Sequence, residues 1–378
     1  MSRTPALWPD PASHIRHAAP EMPTYYMRPD CLQATARRFL RGFPGLVTYA
    51  VKANDAPVVL ENLVAAGIGA FDVASVAEME RVRAVLPSAV LHYNNPVRSR
   101  AEIRAGIAMG CVSWAVDSLG ELEKLREEGV AQGAEIAVRY KLPVAGAAYD
   151  FGEKFGADPA QASEIMRRAA RLGYRVSLGF HPGTQCADPA AWAAYVRAAG
   201  EIAARAAVRP VRLNAGGGFA APDGAGGPDL EAIFRAIADA RAAAFPARAP
   251  ALFCEPGRAM VAAAFRLAVR VKAIREGGAV FLDDGIYGHL GERPAPGALH
   301  RFAALSPDGT PRRGSRSPRT VFGPTCDSLD RLPEELALPG DLAEGDYILF
   351  HDMGAYAGVT ATGFNGYGDC RLVTVGSW

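Results

Sequence analysis

The chain has 378 residues, with 41 basic and 40 acidic side chains and 49% hydrophobic residues. The net charge of +1 removes the usual electrostatic reason for a nucleic-acid or membrane-surface partner. No uncharged apolar run reaches the ~18 residues of a transmembrane helix, so no membrane partner is expected.

The opening Met1–Pro20 lacks a signal-peptide core, and His14 and His17 read as solvated tail residues. Next, short apolar or β-branched runs alternate with helical patterns. Strands are expected over Leu46–Val51, Ile68–Val73, Ala89–Tyr93, Cys111–Val116, Glu135–Tyr140, Val176–Phe180, Val211–Asn214 and Ala251–Cys254. Helical spacing over Pro57–Ala66, Val76–Val85, Arg100–Ala108, Leu119–Glu128, Pro159–Leu172, Ala190–Ala206 and Asp229–Ala244 separates them. Eight such strands match a (β/α)8 barrel, and alternation alone leaves a doubly wound sheet open. From about Phe265 short alternating runs replace the helices: Leu267–Ile274, Ala279–Leu282, Arg319–Phe322, Asp346–Phe350 and Leu372–Val375. They predict a second, all-β domain. Glu292–Ser317 reads as a long loop, with Arg312, Arg313 and Arg316 solvated. The cysteines at 31, 111, 186, 254, 326 and 370 form no C-x-x-C pair, so no metal site is expected. Their spread fits reduced thiols and a cytoplasmic location.

Barrel enzymes carry their chemistry at the carboxyl ends of the strands. The first strand runs into Lys52, the sixth into His181-Pro-Gly-Thr184, the seventh into Gly216-Gly217-Gly218 and the eighth into Glu255-Pro-Gly257-Arg258. Each has a plainer reading: a surface lysine, a core histidine, a tight turn, a structural ion pair. Lys52, however, follows an apolar strand without a neighbouring charge, which suits a partly buried amine able to form a Schiff base. Bare backbone N–H groups after strand seven suit a phosphate, and Arg258 adds a cation. A Schiff-base lysine with a phosphate cradle points to pyridoxal phosphate, with Glu255 at the ring nitrogen and His181 on the ring face.

The chain resembles the ornithine and diaminopimelate decarboxylases, the fold-type-III pyridoxal-phosphate enzymes, and most of all the ornithine/lysine branch. The resemblance rests on Tyr49-Ala-Val-Lys52-Ala-Asn54, Phe71-Asp72-Val-Ala-Ser75, His181-Pro-Gly-Thr184-Gln185, Gly216-Gly-Gly218-Phe219, Glu255-Pro-Gly-Arg258, Gly323-Pro-Thr-Cys326-Asp327-Ser-Leu-Asp330 and Asp352-Met-Gly-Ala-Tyr356, followed by Phe364-Asn365-Gly366. These blocks span nearly the whole chain.

The resemblance implies an α/β fold: an alanine-racemase-like (β/α)8 barrel over residues 27–264, plus a C-terminal β-domain of 265–378 to which residues 1–26 contribute. It implies decarboxylation of a basic L-amino acid, ornithine or lysine, to a diamine in polyamine biosynthesis. Lys52 would carry the cofactor, with Asp72 orienting it, His181 stacking and Glu255 at the ring nitrogen. Thr184, Gly216, Gly217, Gly218, Gly257, Arg258 and Tyr356 would hold the phosphate. Cys326 would protonate Cα, and Asp327 would bind the distal ammonium with Tyr287 beside it. Cys326 and Asp327 would cross the interface of a homodimer.

Two departures from the family pattern leave the substrate open. No aspartate follows Asp284-Gly285-Ile286-Tyr287-Gly288 at the usual distance, although Glu292 lies nearby, and Asp150 stands where a basic residue is expected. A modified or conjugated diamino acid is therefore a second candidate. A racemase or an inactive regulator are the alternatives of another class. The presence of both Lys52 and Cys326 speaks against the inactive regulator, and a carboxylate rather than an arginine at the ring nitrogen speaks against the racemase.

Overall fold

The computed structural model describes residues 7–142, 154–221, 229–292 and 301–378. The described residues from Gln33 to Met260 form one compact unit. Those up to Leu32 and from Val261 onward form another.

The first unit is a parallel barrel. Its strands are Leu46–Val47, Tyr49–Ala50, Ala70–Val73, Val90–Tyr93, Ser113–Val116, Glu135–Arg139, Arg175–Gly179, Arg212–Asn214 and Ala251–Cys254. From Tyr49–Ala50 onward each pairs with the next, and Leu46–Val47 pairs with Ala251–Cys254, so the path returns to the segment where it began. The expected strand Leu46–Val51 is split at Thr48. Both the backbone N–H and the hydroxyl of Thr48 donate to the Cys254 carbonyl, at 3.0 Å each. Both donors of this buried residue are therefore paired where the strand breaks. Val51–Ala53 then turns as a 3-10 helix rather than continuing the strand.

Parallel strands covered on both faces need near-continuous apolar sequence. Ala70–Val73 and Ser113–Val116 are buried along their whole length. The helices between them are set by their caps. Ser99 and Glu102 form a capping box on Arg100–Ala108, and Asp158 and Gln161 form another on Pro159–Arg171, with proline in its first turn. The long helices Pro189–Ala206 and Leu230–Ala244 bury Trp192, Tyr195, Ile233 and Phe234.

The second unit is built on a sheet whose main path runs Phe302–Leu305, Tyr347–His351, Phe265–Ile274, Thr24–Met27, Arg371–Thr374. Thr24–Met27 pairs antiparallel with Phe265–Ile274 and parallel with Arg371–Thr374. Ile15, Tyr26, Leu349 and Val373 close its core.

Three expectations change here. Pro11–Ala18 is a helix, started by Asp10, whose carboxylate accepts from Ser13 N–H at 2.7 Å. The helix buries His14, whose Nδ1 lies 2.9 Å from the Tyr26 hydroxyl; only His17 of the two histidines stays exposed. Within Glu292–Ser317, residues 293–300 lie outside the described chain, and Phe302–Leu305 is a strand on Tyr347–His351. Arg312 is not a free solvated cation. It makes bonds of 2.8 and 2.7 Å to Asp346, which is fully buried and would otherwise be an unpaired internal charge.

Candidate active site

The carboxyl ends of the barrel strands surround a cavity of about 240 Å³. Lys52, Asp72, Asn94, Arg139, His181, Asn214 and Glu255 line it, each from the end of a strand or the turn just after it. The barrel therefore gathers Lys52, Asp72, His181 and Glu255 as their sequence positions lead one to expect. Lys52 differs in one respect: it is exposed rather than partly buried, because the 3-10 turn lifts it off the strand end toward the cavity.

The glycine turn is fixed by close backbone approach. A Cβ on Gly216 would stand 2.0 Å from the Phe180 carbonyl, and one on Gly218 would stand 2.1 Å from the Gly183 carbonyl. Both residues also have positive φ, 71° and 88°. The Gly216 N–H donates to Asn214 Oδ1 at 2.8 Å, and the Gly218 carbonyl accepts from Cys186 N–H at 2.8 Å. Thr184 and Gly217 lie in the two loops so joined, and Gly257-Arg258 opens the short helix Arg258–Val261. A Cβ on Gly257 would come within 3.0 Å of Ala53 Cβ, so this turn packs directly on the one that carries Lys52.

Charge in the cavity is under tension. Burial pushes the Glu255 carboxyl up to about 8, and repulsion from Asp72 adds to the rise. Asp72 is raised as well, chiefly by burial, against the pull of Lys52 and Arg139. Burial lowers Arg139 and takes His181 well below the usual imidazole value, with Lys52 and Arg139 assisting on His181. His181 is thus a neutral ring, and its Nδ1 accepts from Gly183 N–H at 3.1 Å. Glu255 Oε1 accepts from both Asn94, at 2.5 Å, and Asn214. No described hydrogen bond ends on Oε2.

In the second unit, Tyr287 Oη donates to Asp327 Oδ2 at 2.5 Å, and this bond holds the Asp327 carboxyl below its ordinary range. Buried Asp330 ties the two loops together. It accepts from Ile286 N–H at 3.0 Å, and from Thr325 N–H at 3.0 Å and its hydroxyl at 2.7 Å. Cys326 is exposed, with its N–H on Asn365 Oδ1 at 3.0 Å. Tyr356 sits at φ 64°, opening the helix Ala357–Thr360. Asp150 lies outside the described residues.

Residues 30–262 match the pyridoxal-binding domain of the pyridoxal-dependent decarboxylases. The chain belongs to that family. It is similar to an ornithine decarboxylase of Panagrellus redivivus, 31% identical over 91% of this chain and 83% of the relative. It is also similar to a lysine/ornithine decarboxylase of Selenomonas ruminantium, 32% identical over 85% of this chain and 81% of the relative. Among solved structures, the lysine/ornithine decarboxylase of Vibrio vulnificus with putrescine superposes with a TM-score of 0.80 at 27% identity, covering 97% of this chain and 99% of that one. The chain is a carbon–carbon lyase that uses pyridoxal phosphate, on the (β/α)8 barrel with an appended β-sheet that its sequence predicts.

The cavity fits this cofactor. It offers a primary amine and a neutral imidazole, and the glycine turn packs directly behind that ring, where a Cβ on Gly218 would stand 3.1 Å from His181 Cε1. It also offers a carboxylate with one oxygen not claimed by any described donor. Asn94 and Arg139 escape a reading confined to strands one, six, seven and eight, and Asn214, the last residue of strand seven, passes unnoticed there because it carries no charge. Asn94 follows strand three and Arg139 ends strand five, so the same rule applied to every strand end finds all three.

Proposed function

We propose that this chain decarboxylates a basic L-amino acid, ornithine or lysine, to the corresponding diamine. The observation that carries the reading is the strand-end cluster of Lys52, His181 and Glu255 about one cavity. The Asp327 carboxylate, kept ionised by Tyr287, adds the choice of a substrate with a distal ammonium. On this reading residues 27–264 are the cofactor-binding barrel domain, and 1–26 with 265–378 are the β-domain.

Lys52 would hold the aldehyde carbon of the cofactor, and Glu255 its ring nitrogen. His181 would lie on its face and Asp72 would orient it. The N–H groups of Gly216, Gly217, Gly218 and Gly257, with Thr184, Arg258 and Tyr356, would hold the phosphate. When bound, pyridoxal phosphate supplies an electron sink for the pair left on Cα as carbon dioxide departs. The protein's own tasks are fewer. Glu255 keeps positive charge favourable at the ring nitrogen. Neutral His181 adds no competing charge. Cys326 returns a proton to Cα, and Asp327 with Tyr287 anchors the far end of the substrate. In a homodimer, Cys326 and Asp327 would come from the partner subunit.

Among the described residues no helix is long and apolar enough to cross a membrane. All six cysteines are free thiols, which supports a cytoplasmic enzyme. The test is carbon dioxide release from L-ornithine, L-lysine, L-arginine, diaminopimelate and shorter diamino acids. Turnover of ornithine or lysine is expected. Silence on all of them, with the cofactor bound, would move the reading to a modified or conjugated diamino acid.

A further inference from the structure

We infer that Asn94 and Asn214 are positioning residues that commit Glu255 to the cofactor's ring nitrogen through one oxygen. The inference rests on the reading of Glu255 given above and names what holds that carboxylate in place.

A carboxylate at the end of a strand can rotate about its last torsion and present either oxygen, or neither, to a ligand. Here two amides converge on the same oxygen. Asn94, following the third strand, and Asn214, ending the seventh, both donate Nδ2–H to Oε1. Two donors on one oxygen from opposite sides of the barrel fix the carboxylate plane, and Oε2 is the oxygen left for a ligand. The amides also act on charge, since hydrogen bonds to a carboxylate favour its ionised form. The Asn214 bond lowers the Glu255 carboxyl against burial and the repulsion from Asp72, which together keep it raised to about 8. An Oε2 that carried the acid hydrogen would donate it, and could not take the hydrogen of a protonated ring nitrogen along the same line.

Each asparagine has a second link. Asn94 also favours the charged form of Asp72, so one amide acts on both carboxylates whose charges repel. Its own Oδ1 is buried without a hydrogen-bond partner, so the amide is held for its donors and not for its acceptor. Asn214 turns its Oδ1 to the Gly216 N–H, joining Glu255 to the glycine turn. Asn94 is therefore the cleaner probe, because its loss leaves that turn intact.

The test compares holoenzyme reconstituted with pyridoxal phosphate and with 1-deazapyridoxal phosphate, in which C–H replaces the ring nitrogen. Affinity for each is measured by displacement. Wild type should prefer the nitrogen-bearing cofactor, and Glu255→Leu should abolish the preference. Asn94→Ala should reduce it about ten-fold or more by weakening binding of pyridoxal phosphate, while binding of the deaza form stays within two-fold. Asn94→Ser, which restores a donor, should recover part of it. Asn214→Ala should reduce the preference and also weaken both cofactors through the glycine turn. Equal weakening of both cofactors in Asn94→Ala would overturn the inference and make Asn94 a general structural residue. A wild type with no preference, unchanged in Glu255→Leu, would instead show that Glu255 is not at the ring nitrogen, a failure of the underlying reading.

Discussion

Two groups of charge sit at opposite ends of the barrel, and they are built to opposite rules. At the amino end, Glu135 accepts from Ser177 Oγ at 2.7 Å and takes Arg212 in a fork, Nε at 2.9 Å and Nη2 at 2.5 Å. Its side chain is 3% exposed, and every partner is another barrel residue. At the carboxyl end, Asp72 and Glu255 repel each other across a cavity, Arg139 is lowered, and Glu255 keeps one oxygen without a described partner. One end holds a closed ion pair, which stabilises the barrel only while both partners remain. The other end holds an open cluster, whose unmet electrostatic demand is what a cationic ligand atom can satisfy. Strand ends therefore cannot be read as functional merely because they carry charge. The useful sign is charge that the protein leaves unsatisfied.

The widest separation between the two ends should come from their lysine and glutamate variants. Lys52→Ala should abolish carbon dioxide release and the protein-linked visible absorbance of the cofactor, with the denaturation midpoint of the cofactor-free protein nearly unchanged. Glu135→Ala should do the reverse. It strands Arg212 inside the barrel and should cost about 3–5 kcal/mol in chemical denaturation, while folded protein keeps its KM. A Lys52→Ala protein that still carries the absorbance, or a Glu135→Ala protein as stable as wild type, would erase the contrast.

A smaller effect is expected in the second unit. Asp327→Ala should raise KM for diamino acids by the equivalent of about 1.5–3 kcal/mol, the range of a lost charge-assisted contact. An unchanged KM would mean that the distal ammonium is read elsewhere.

The finest effect concerns pH. Glu255 is raised to about 8 from an ordinary value of 4.5, so between those values the folded chain binds more protons than the unfolded chain. The cofactor-free protein should lose stability as pH rises through this window. In Glu255→Gln that slope should flatten, and denaturant titrations at pH 5, 6, 7 and 8 in both proteins measure it. An identical slope in the two would show that Glu255 does not hold the proton.

Much of this was legible because local sequence and tertiary demand agree. The barrel strands are buried on both faces, so apolar runs such as Trp114-Ala115-Val116 stand out, and the turns after them declare their own chemistry. Where the reading failed, a distant partner decided the outcome. Thr48 looks like any β-branched strand residue, yet the strand breaks there, with its hydroxyl on the Cys254 carbonyl. His14 looks solvated until Tyr26, twelve residues on, receives it in the core. Arg312 looks like loop charge until Asp346 is found buried opposite it. The Phe302–Leu305 strand has the same character, since it exists by pairing with Tyr347–His351. The asparagines are a subtler case, because an amide at a strand end carries no charge to attract notice.

The strand Thr24–Met27 also sets an order of events. It is made early, yet both its neighbours, Phe265–Ile274 and Arg371–Thr374, are made after the entire barrel. On the ribosome the barrel can close from a contiguous stretch of nascent chain, while this strand, with Tyr25 and Tyr26 still exposed, has no sheet to join. The strand gains its first neighbour when Phe265–Ile274 emerges and its second only with Arg371–Thr374. Vectorial synthesis therefore leaves one sticky, unpaired edge waiting through most of translation, and that interval is when the chain is most vulnerable to association with its neighbours.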